Sequence, residues 1–155
     1  MRKQISDRLP KFTDEERALV KGSNDFYGMN TYTSDYIKNG KGNPDVEDIA
    51  GDVVISKQNK AGEYIGPESA TPWLRPHPPG FRKLLKWISD RFGRPNIYVT
   101  ENGCCVPNEN DLPLDQLLND DYRCKYYTDY INKLVEAYTE DNVDVRSYMA
   151  WSLME

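Results

Sequence analysis

The sequence predicts an α/β fold built around a parallel sheet. Three short apolar segments alternate with two helical patterns, in the order strand, helix, strand, helix, strand. The apolar segments carry consecutive rather than alternating apolar residues, which indicates strands buried on both faces, as in βαβ units. In such sheets the functional groups gather where the strands end, so the residues at the carboxyl end of each strand are the first candidates for a site.

The chain opens with a short helix, and the first strand follows it. Thr13 precedes residues 14–20, and Glu16 stands three positions after it, which is the pattern of a capping box at a helix start. Residues 25–32, DFYGMNTY, combine aromatic and apolar side chains and are predicted to form a buried strand.

A long connection separates the first strand from the next helix. Residues 34–79 are rich in proline and glycine, and connections of this length are usually functional or disordered. Within the connection, GDVVISKQNKAGEYIG at 51–66 predicts a small hairpin that turns around residues 59–62.

The next helix and the second strand are the clearest elements. Residues 80–92 are predicted to form an amphipathic helix, which Pro78 and Pro79 open and Gly93 closes. A strand at 96–100 follows it. The side chains at helical spacing that should face the core are Phe81, Leu84, Leu85, Ile88 and Phe92.

A longer helix and a third strand complete the pattern. Residues 120–140 are predicted to be helical, with Asn119 as the N-cap, and VRSYMAWSLM at 145–154 is predicted to be the last strand. The predicted inner stripe of this helix consists of Tyr127, Tyr130, Ile131, Leu134 and Tyr138.

Charge and hydropathy argue against several classes of partner. The chain has 20 basic and 25 acidic residues, a net charge of −5, and no basic stripe, so no nucleic-acid partner is expected. No apolar run approaches the roughly 20 residues of a membrane span, so no membrane partner is expected. The N-terminus lacks the apolar segment of a signal peptide and no glycosylation acceptor occurs, which together predict a cytoplasmic protein.

The cysteines and the single histidine predict no metal site. Cys104, Cys105 and Cys124 are odd in number and lack a Cys-x-x-Cys spacing, which is typical of ordinary thiols in a reducing compartment. His77 lies in a proline-rich loop far from the cysteines in sequence, so it is not expected to act as a ligand or a base.

Polar and aromatic side chains stand at the end of each predicted strand. Asn30 and Tyr32 end the first strand, Glu101 ends the second, and Trp151 ends the third. Singly, each has an ordinary explanation, because a Glu before an Asn-Gly turn is commonly a solvated charge and a Trp near a strand end is commonly a core residue. Together, a carboxylate, a hydroxyl, a carboxamide and an indole suit a polyol with apolar ring faces, as sugars are.

Five segments resemble the glycoside hydrolase family 1 β-glucosidases, most closely the intracellular fungal type. The segments follow the order and spacing of that family along nearly the whole chain. They are RLPKFT (8–13), KGSNDFYGMNTYTS (21–34), PWLRPHPPGFRKLLKWI (72–88), IYVTENG (97–103) and DVRSYMAWSLM (144–154).

The resemblance implies a (β/α)8 barrel that hydrolyses terminal β-D-glucosidic bonds with retention, without a metal or organic cofactor. Glu101 falls on the nucleophile of the family, which forms a covalent glycosyl-enzyme that water hydrolyses. Tyr32 matches the tyrosine that hydrogen-bonds this nucleophile. Asn30 matches a polar residue near the sugar, Trp151 the tryptophan beneath the sugar ring, and Trp73 the tryptophan at the aglycone entrance. The implied substrate is a β-glucoside or a cello-oligosaccharide.

Some parts of the family's site have no counterpart in the sequence. The acid/base carboxyl lies in a Thr-Phe-Asn-Glu-Pro segment of the fourth strand, which does not occur here. The strands present resemble the sixth to eighth of the barrel. We therefore expect residues 1–155 to be the C-terminal part of a single barrel domain, incomplete at both ends. Such a chain would need the missing N-terminal barrel strands for a complete site.

Two other interpretations stay open at this point. Because the acid/base segment is absent, the chain can be a catalytically inactive truncated remnant or a sugar-binding pseudo-enzyme, and alone it is expected to hydrolyse aryl β-glucosides negligibly. A small doubly wound α/β binding domain would instead carry a phosphate-binding glycine loop after a strand. Neither Gly-x-Gly-x-x-Gly nor a Walker loop is present, which argues against that third interpretation.

Overall fold

A computed structural model describes residues 10–40 and 53–152 of the chain. The helices in this part are α1 (Asp14–Val20), α2 (Pro78–Phe92), α3 (Leu114–Leu117) and α4 (Asp121–Thr139), and a 3-10 turn covers Glu109–Asp111. The strands are β1 (Tyr27–Asn30), β2 (Tyr36–Asn39), β3 (Val53–Ser56), β4 (Ile97–Asn102) and β5 (Val145–Ala150).

The three predicted strands form one parallel sheet. Its order is β1-β4-β5, with β4 in the centre and parallel to both neighbours. The predicted α/β fold with a parallel sheet is confirmed for this part of the chain. The last residues of the predicted third strand, 153 and 154, lie outside the described residues, and β5 itself ends at Ala150.

The core lies between the sheet and the two long helices. Ile97 and Val99 of β4 are fully buried, and they belong to the same apolar cluster as the inner faces of α2 and α4. α2 buries Phe81, Leu85 and Ile88 as predicted. It begins at Pro78 and ends at Phe92, and its C-cap is Gly93, whose φ of 73° is the left-handed conformation that glycine adopts readily.

The prediction that Phe92 of α2 faces the core is wrong. Phe92 is 51% exposed, and its ring lies against Tyr27 and Trp87. Phe92 is the last residue of the helix, and its ring contacts the start of β1 and side chains of its own helix, so half of it stays exposed.

The inner face of α4 also differs from the predicted stripe. Tyr130 is buried, but Ile131 and Tyr138 are 43% and 57% exposed. The buried positions are Tyr126, Tyr130 and Ala137. The buried face of the helix is therefore rotated about the helix axis by about one residue relative to the predicted stripe. A prediction weighted toward large apolar side chains passes over Ala137, whose small size suits a close helix contact. The two remaining predicted positions, Tyr127 and Leu134, pack partly buried against the core.

The caps follow the sequence at one helix and differ at another. Thr13 and Glu16 form the predicted capping box of α1, with both hydrogen bonds present. In α4 the N-cap is Asp120, whose carboxylate accepts from the backbone N–H of Arg123, so the predicted Asn119 cap is wrong by one residue.

The predicted hairpin at 51–66 forms only in part. The backbone of Asn59 accepts from Gly62, and Gln58 pairs with Tyr64 in a single antiparallel bridge, so the predicted turn is confirmed. The strand β3 that leads into this turn pairs with β2, which precedes it in the chain, and not with the segment after the turn. Residues 51 and 52 of the predicted hairpin lie outside the described residues.

The described residues divide into two compact units. One holds residues 10–25, 37–40 and 53–55, and includes α1. The other holds residues 26–36 and 56–152, and includes the parallel sheet, α2 and α4. All five candidate site residues lie in this second unit.

Candidate active site

The carboxyl end of β4 places Glu101 next to the end of β1. β4 runs to Asn102, so Glu101 is the penultimate residue of the strand, one position inside its end. Asn30 pairs with Glu101 in the parallel ladder, and an irregularity after Met29 leaves Thr100 as an extra residue on β4. Such a bulge redirects the side chains that follow it, so Glu101 does not simply continue the alternation of the strand.

The carboxylate of Glu101 is held by Tyr32. The Tyr32 hydroxyl donates to Glu101 Oε2 over 2.5 Å in a partly buried setting. A hydroxyl that donates to a carboxyl oxygen fixes the direction of that group, so the bond orients the Glu101 side chain. The structure therefore brings together the two residues that the sequence resemblance pairs.

Tyr32 is also anchored through its backbone. Its carbonyl accepts from the Tyr130 hydroxyl over 3.4 Å, and the backbone N–H of His77 donates to the same hydroxyl over 2.9 Å. Burial raises the pKa of Tyr130, so this hydroxyl remains protonated and able to donate. His77 thus contacts Tyr130 through its backbone N–H, and this bond does not involve the imidazole.

Asn30 lies beside Thr100. Its Oδ1 accepts from the Thr100 hydroxyl over 2.6 Å, and the residue is exposed. The carboxamide nitrogen remains able to donate to a ligand at this exposed strand end.

Three of the predicted site residues line one cleft. The cleft has a volume of about 270 Å³. Trp73 lies edge-on to Tyr32, with ring centroids 6.2 Å apart, and Trp73 and Trp151 are 55% and 53% exposed. In the described part of the chain, both indoles therefore present a face toward the cleft, and a sugar-binding role for Trp151 stays a prediction. The residues that line the cleft are Tyr32, Trp73, Leu74, Gly103, Cys104, Cys105 and Trp151.

The loop that carries Trp73 is held by a side chain of the segment after β1. The Thr33 hydroxyl accepts from the backbone N–H of Arg75 over 3.0 Å and donates to the Arg75 carbonyl over 3.1 Å. Ser69 donates to the carbonyl of Leu74 over 3.0 Å. Because these bonds fix the backbone on the C-terminal side of Trp73, the indole is presented next to Tyr32.

Gly103 permits the close approach of β4 and the end of β5. A Cβ at this position would lie 1.9 Å from the Trp151 carbonyl oxygen, a separation that no side chain tolerates. The backbone N–H of Trp151 donates to the Asn102 carbonyl over 2.9 Å, which fixes the approach from the other side. The sequence pattern suggested only a turn pair at Asn102 and Gly103.

Asn102 is the functional candidate that the sequence reasoning missed. Its side chain is fully buried, donates from Nδ2 to the Thr31 carbonyl over 2.6 Å, and accepts at Oδ1 from the Tyr148 hydroxyl over 2.6 Å. An Asn next to a Gly reads as a turn residue, and the sequence carries no signal that would place its side chain inside.

The described residues hold no cluster of three or more His, Cys, Asp or Glu side chains that could bind a metal ion. In the same part of the chain, no helix combines the length and the apolar character needed to cross a membrane.

Solved structures share this arrangement of strands and helices. β-Glucosidase 2 from the fungus Trichoderma reesei, in complex with Tris, is 56% identical with a TM-score of 0.92, over 99% of this chain and 33% of that one. A family 1 β-glucosidase from Humicola insolens, in complex with glucose, is 57% identical with a TM-score of 0.93, over 99% of this chain and 32% of that one. These neighbours are TIM-barrel enzymes, so the chain is a partial α/β segment of that architecture.

The sequence defines the family. The model of glycosyl hydrolase family 1 matches residues 1–155, and the chain belongs to this family. β-Glucosidase 1B of Phanerodontia chrysosporium is 44% identical over the whole chain, which covers 28% of that protein. β-Glucosidase 12 of Oryza sativa subsp. indica is 39% identical, and the chain covers 31% of it. The chain thus spans about a third of the length of its relatives, and the predicted family is confirmed.

Proposed function

We propose that this chain supplies the nucleophile of a retaining β-glucosidase, and that Glu101 is that nucleophile. The observation that carries the proposal is the hydrogen bond from Tyr32 to Glu101 at the carboxyl end of the central strand, beside a cleft with two half-exposed tryptophans. Family membership supports the glycoside chemistry.

In the proposed reaction, an Oε atom of Glu101 attacks the anomeric carbon of a β-glucoside. A C–O bond to the carboxylate forms as the bond to the aglycone oxygen breaks, and that oxygen takes a proton from a second carboxyl group. Water then hydrolyses the glycosyl ester, with the same second group acting as base. The Tyr32 hydroxyl holds Glu101 in a fixed orientation before the attack.

The second carboxyl group has to come from outside these 155 residues. Retaining hydrolysis requires it roughly 5–5.5 Å from the nucleophile. The Asn-Glu-Pro segment that carries it in the family does not occur in this sequence. We propose that residues 1–155 belong to one barrel domain that is completed by further barrel strands, which agrees with the coverage of 28% of β-glucosidase 1B.

The proposed substrate is a β-glucoside or a cello-oligosaccharide. The indoles of Trp73 and Trp151 offer apolar faces for pyranose rings, and Asn30 offers a carboxamide for hydroxyl groups. The similar Humicola insolens β-glucosidase was solved in complex with glucose, which supports a glucoside as the substrate. A cytoplasmic location stays a prediction.

A second candidate is a protein that binds sugars without hydrolysing them. The half-exposed indoles of Trp73 and Trp151 beside the cleft are compatible with it, because sugar rings stack on indole faces whether or not a bond is broken. Under this alternative the cleft would still bind glucose, and Glu101 would form no covalent adduct when joined to a complete set of barrel strands.

The test uses a composite enzyme, in which residues 1–155 replace the matching third of the Trichoderma reesei β-glucosidase 2 chain. Glu101→Gly removes the carboxylate, and azide is added with 2,4-dinitrophenyl β-glucoside, whose leaving group needs no protonation. If Glu101 is the nucleophile, azide attacks from the vacated side and the product is α-glucosyl azide.

The matched control is Glu140→Gly, which removes an exposed carboxylate at the end of α4. This variant should hydrolyse the substrate normally and form no azide product. A β-configured azide from Glu101→Gly, or full hydrolysis by that variant, would contradict the assignment.

A further inference from the structure

We propose that Asn102 is a positioning residue, which aligns Tyr32 with Glu101 by joining the end of β4 to the segment after β1. This role rests on the proposed function of Glu101 as the nucleophile. Asn102 follows Glu101 directly in the chain, and its side chain is fully buried. Asn102 is not among the residues that line the cleft, although its neighbour Gly103 is.

The two hydrogen bonds of the side chain have a fixed sense. The Thr31 carbonyl can only accept, so the carboxamide nitrogen of Asn102 must face it, at 2.6 Å. The carboxamide oxygen then faces the Tyr148 hydroxyl, also at 2.6 Å, which donates to it. Burial raises the pKa of Tyr148 well above its usual value, so that hydroxyl stays protonated and the bond persists.

The Thr31 bond acts on the orientation of Tyr32. The carbonyl of Thr31 belongs to the same planar peptide group as the N–H of Tyr32, so a bond to that oxygen sets the direction in which the Tyr32 side chain leaves the backbone. The N–H of Thr31 donates to the Glu101 carbonyl over 3.0 Å. Two consecutive residues of β4 therefore hold both backbone groups of Thr31, one residue before the tyrosine that contacts the nucleophile.

Asn102 also reaches the end of β5. Its backbone carbonyl accepts from the N–H of Trp151 over 2.9 Å. This bond does not depend on the side chain. Replacing the side chain should therefore disturb Tyr32 more than Trp151, which separates an effect on the attack from an effect on sugar binding.

The test is a double-mutant cycle in the composite enzyme. Asn102→Leu removes both side-chain bonds while keeping the number and branching of the side-chain heavy atoms, and Tyr32→Phe removes the hydroxyl that contacts Glu101. The readout is the rate constant of covalent trapping by 2,4-dinitrophenyl 2-deoxy-2-fluoro-β-glucoside, counted per labelled site so that unfolded protein does not contribute.

Each single variant is expected to slow trapping by about 10- to 100-fold, because a charge-assisted hydrogen bond is lost or misaligned. If Asn102 acts through Tyr32, the double variant is no slower than the Tyr32→Phe variant to within about 3-fold. Glucose binding, measured by competition, should change little.

Tyr148→Phe is the matched control, since it removes one bond of Asn102 and leaves the bond to Thr31. It should slow trapping less than Asn102→Leu does. Where Asn102→Leu is not recovered folded, Asn102→Ala takes its place, because it removes both side-chain bonds without adding bulk.

Multiplicative effects in the double variant, or an unchanged trapping rate in Asn102→Leu, would overturn the positioning role. A label on a residue other than Glu101 in the unsubstituted composite enzyme would instead overturn the proposed function itself, so the two failures are distinguishable.

Discussion

Two hydrogen-bonded clusters hold separate elements of this molecule together, and they differ in charge and burial. At the strand ends, the uncharged and fully buried Asn102 joins Thr31 to Tyr148. Between the helices, Arg82 of α2 binds Glu136, Glu140 and Asp141 in and after α4, and its side chain is 26% exposed.

The difference in charge and burial between the two clusters indicates which of them fixes the orientation of its side chains more strictly. A buried neutral network fixes direction, because any group that loses its partner stays unsatisfied away from water. A charged cluster near the surface tolerates rearrangement, since water and salt can replace each partner. The strand-end cluster thus suits a site that needs aligned groups, while the Arg82 cluster suits the general attachment of two helices.

The largest expected effect is on the catalytic rate, and it should come without a change in thermal stability. Glu101→Gln in the composite enzyme should lower kcat on the order of 10⁵-fold, because a covalent nucleophile is lost. The thermal unfolding midpoint should hardly change, since the amide can still accept from Tyr32. Steady-state kinetics and calorimetry measure the two quantities. Activity within about 10-fold of the unsubstituted enzyme would break the assignment.

A smaller effect is expected from packing at the same edge. Gly103→Ala places a Cβ against the Trp151 carbonyl and should lower the free energy of unfolding by roughly 1–3 kcal/mol. Gly28→Ala is the control, because its Cβ would meet nothing closer than 3.6 Å. Denaturant unfolding compares the two variants. Equal stability in both would show that the strand ends are not tightly packed.

Salt should distinguish the two clusters from each other. Arg82→Met keeps an apolar stem and removes the charge, and its loss of thermal stability should shrink in 1 M NaCl, where the Debye length is about 3 Å. Tyr148→Phe, which affects the neutral network, should show a loss that salt does not change. If salt left the loss of thermal stability unchanged in both variants, the Arg82 cluster would be as inaccessible to ions as the cluster at the strand ends.

The smallest effect is a pH dependence carried by the helix cluster. The hydrogen bond from Arg82 lowers the pKa of Asp141, and Lys133 with Arg82 lowers that of Glu136. These carboxylates therefore contribute stability that is fully present above the ordinary carboxyl range near pH 4 and is lost as the pH falls through the lowered values. In Arg82→Met the decline in unfolding midpoint between pH 5 and pH 3 should be shallower, as followed by circular dichroism.

The sequence predicted the elements whose local signals agree with their surroundings. The cap at Thr13, the proline start and glycine end of α2, and the run from Ile97 in β4 all have short-range causes, so they were recognisable from the sequence. The partner of β3 was not predictable, because pairing with β2 depends on contacts across a long connection.

The site was predictable where strand ends carry chemically distinctive side chains. Glu101 and Tyr32 were proposed from position and resemblance, and the structure joins them by a hydrogen bond. Asn102 was not proposed, because its buried contacts come from the segment after β1 and from β5, and the residues next to it in the sequence do not indicate them. Supporting residues of this kind are visible only once the strands are assembled.

The most direct test of the central claim is covalent trapping of the composite enzyme with 2,4-dinitrophenyl 2-deoxy-2-fluoro-β-glucoside, followed by peptide mass spectrometry. The proposed function predicts one 2-fluoroglucosyl ester, on the peptide that contains residues 97–103, with Glu101 as the modified residue. An adduct on any other residue, or an enzyme that hydrolyses β-glucosides without ever forming an adduct, would contradict it.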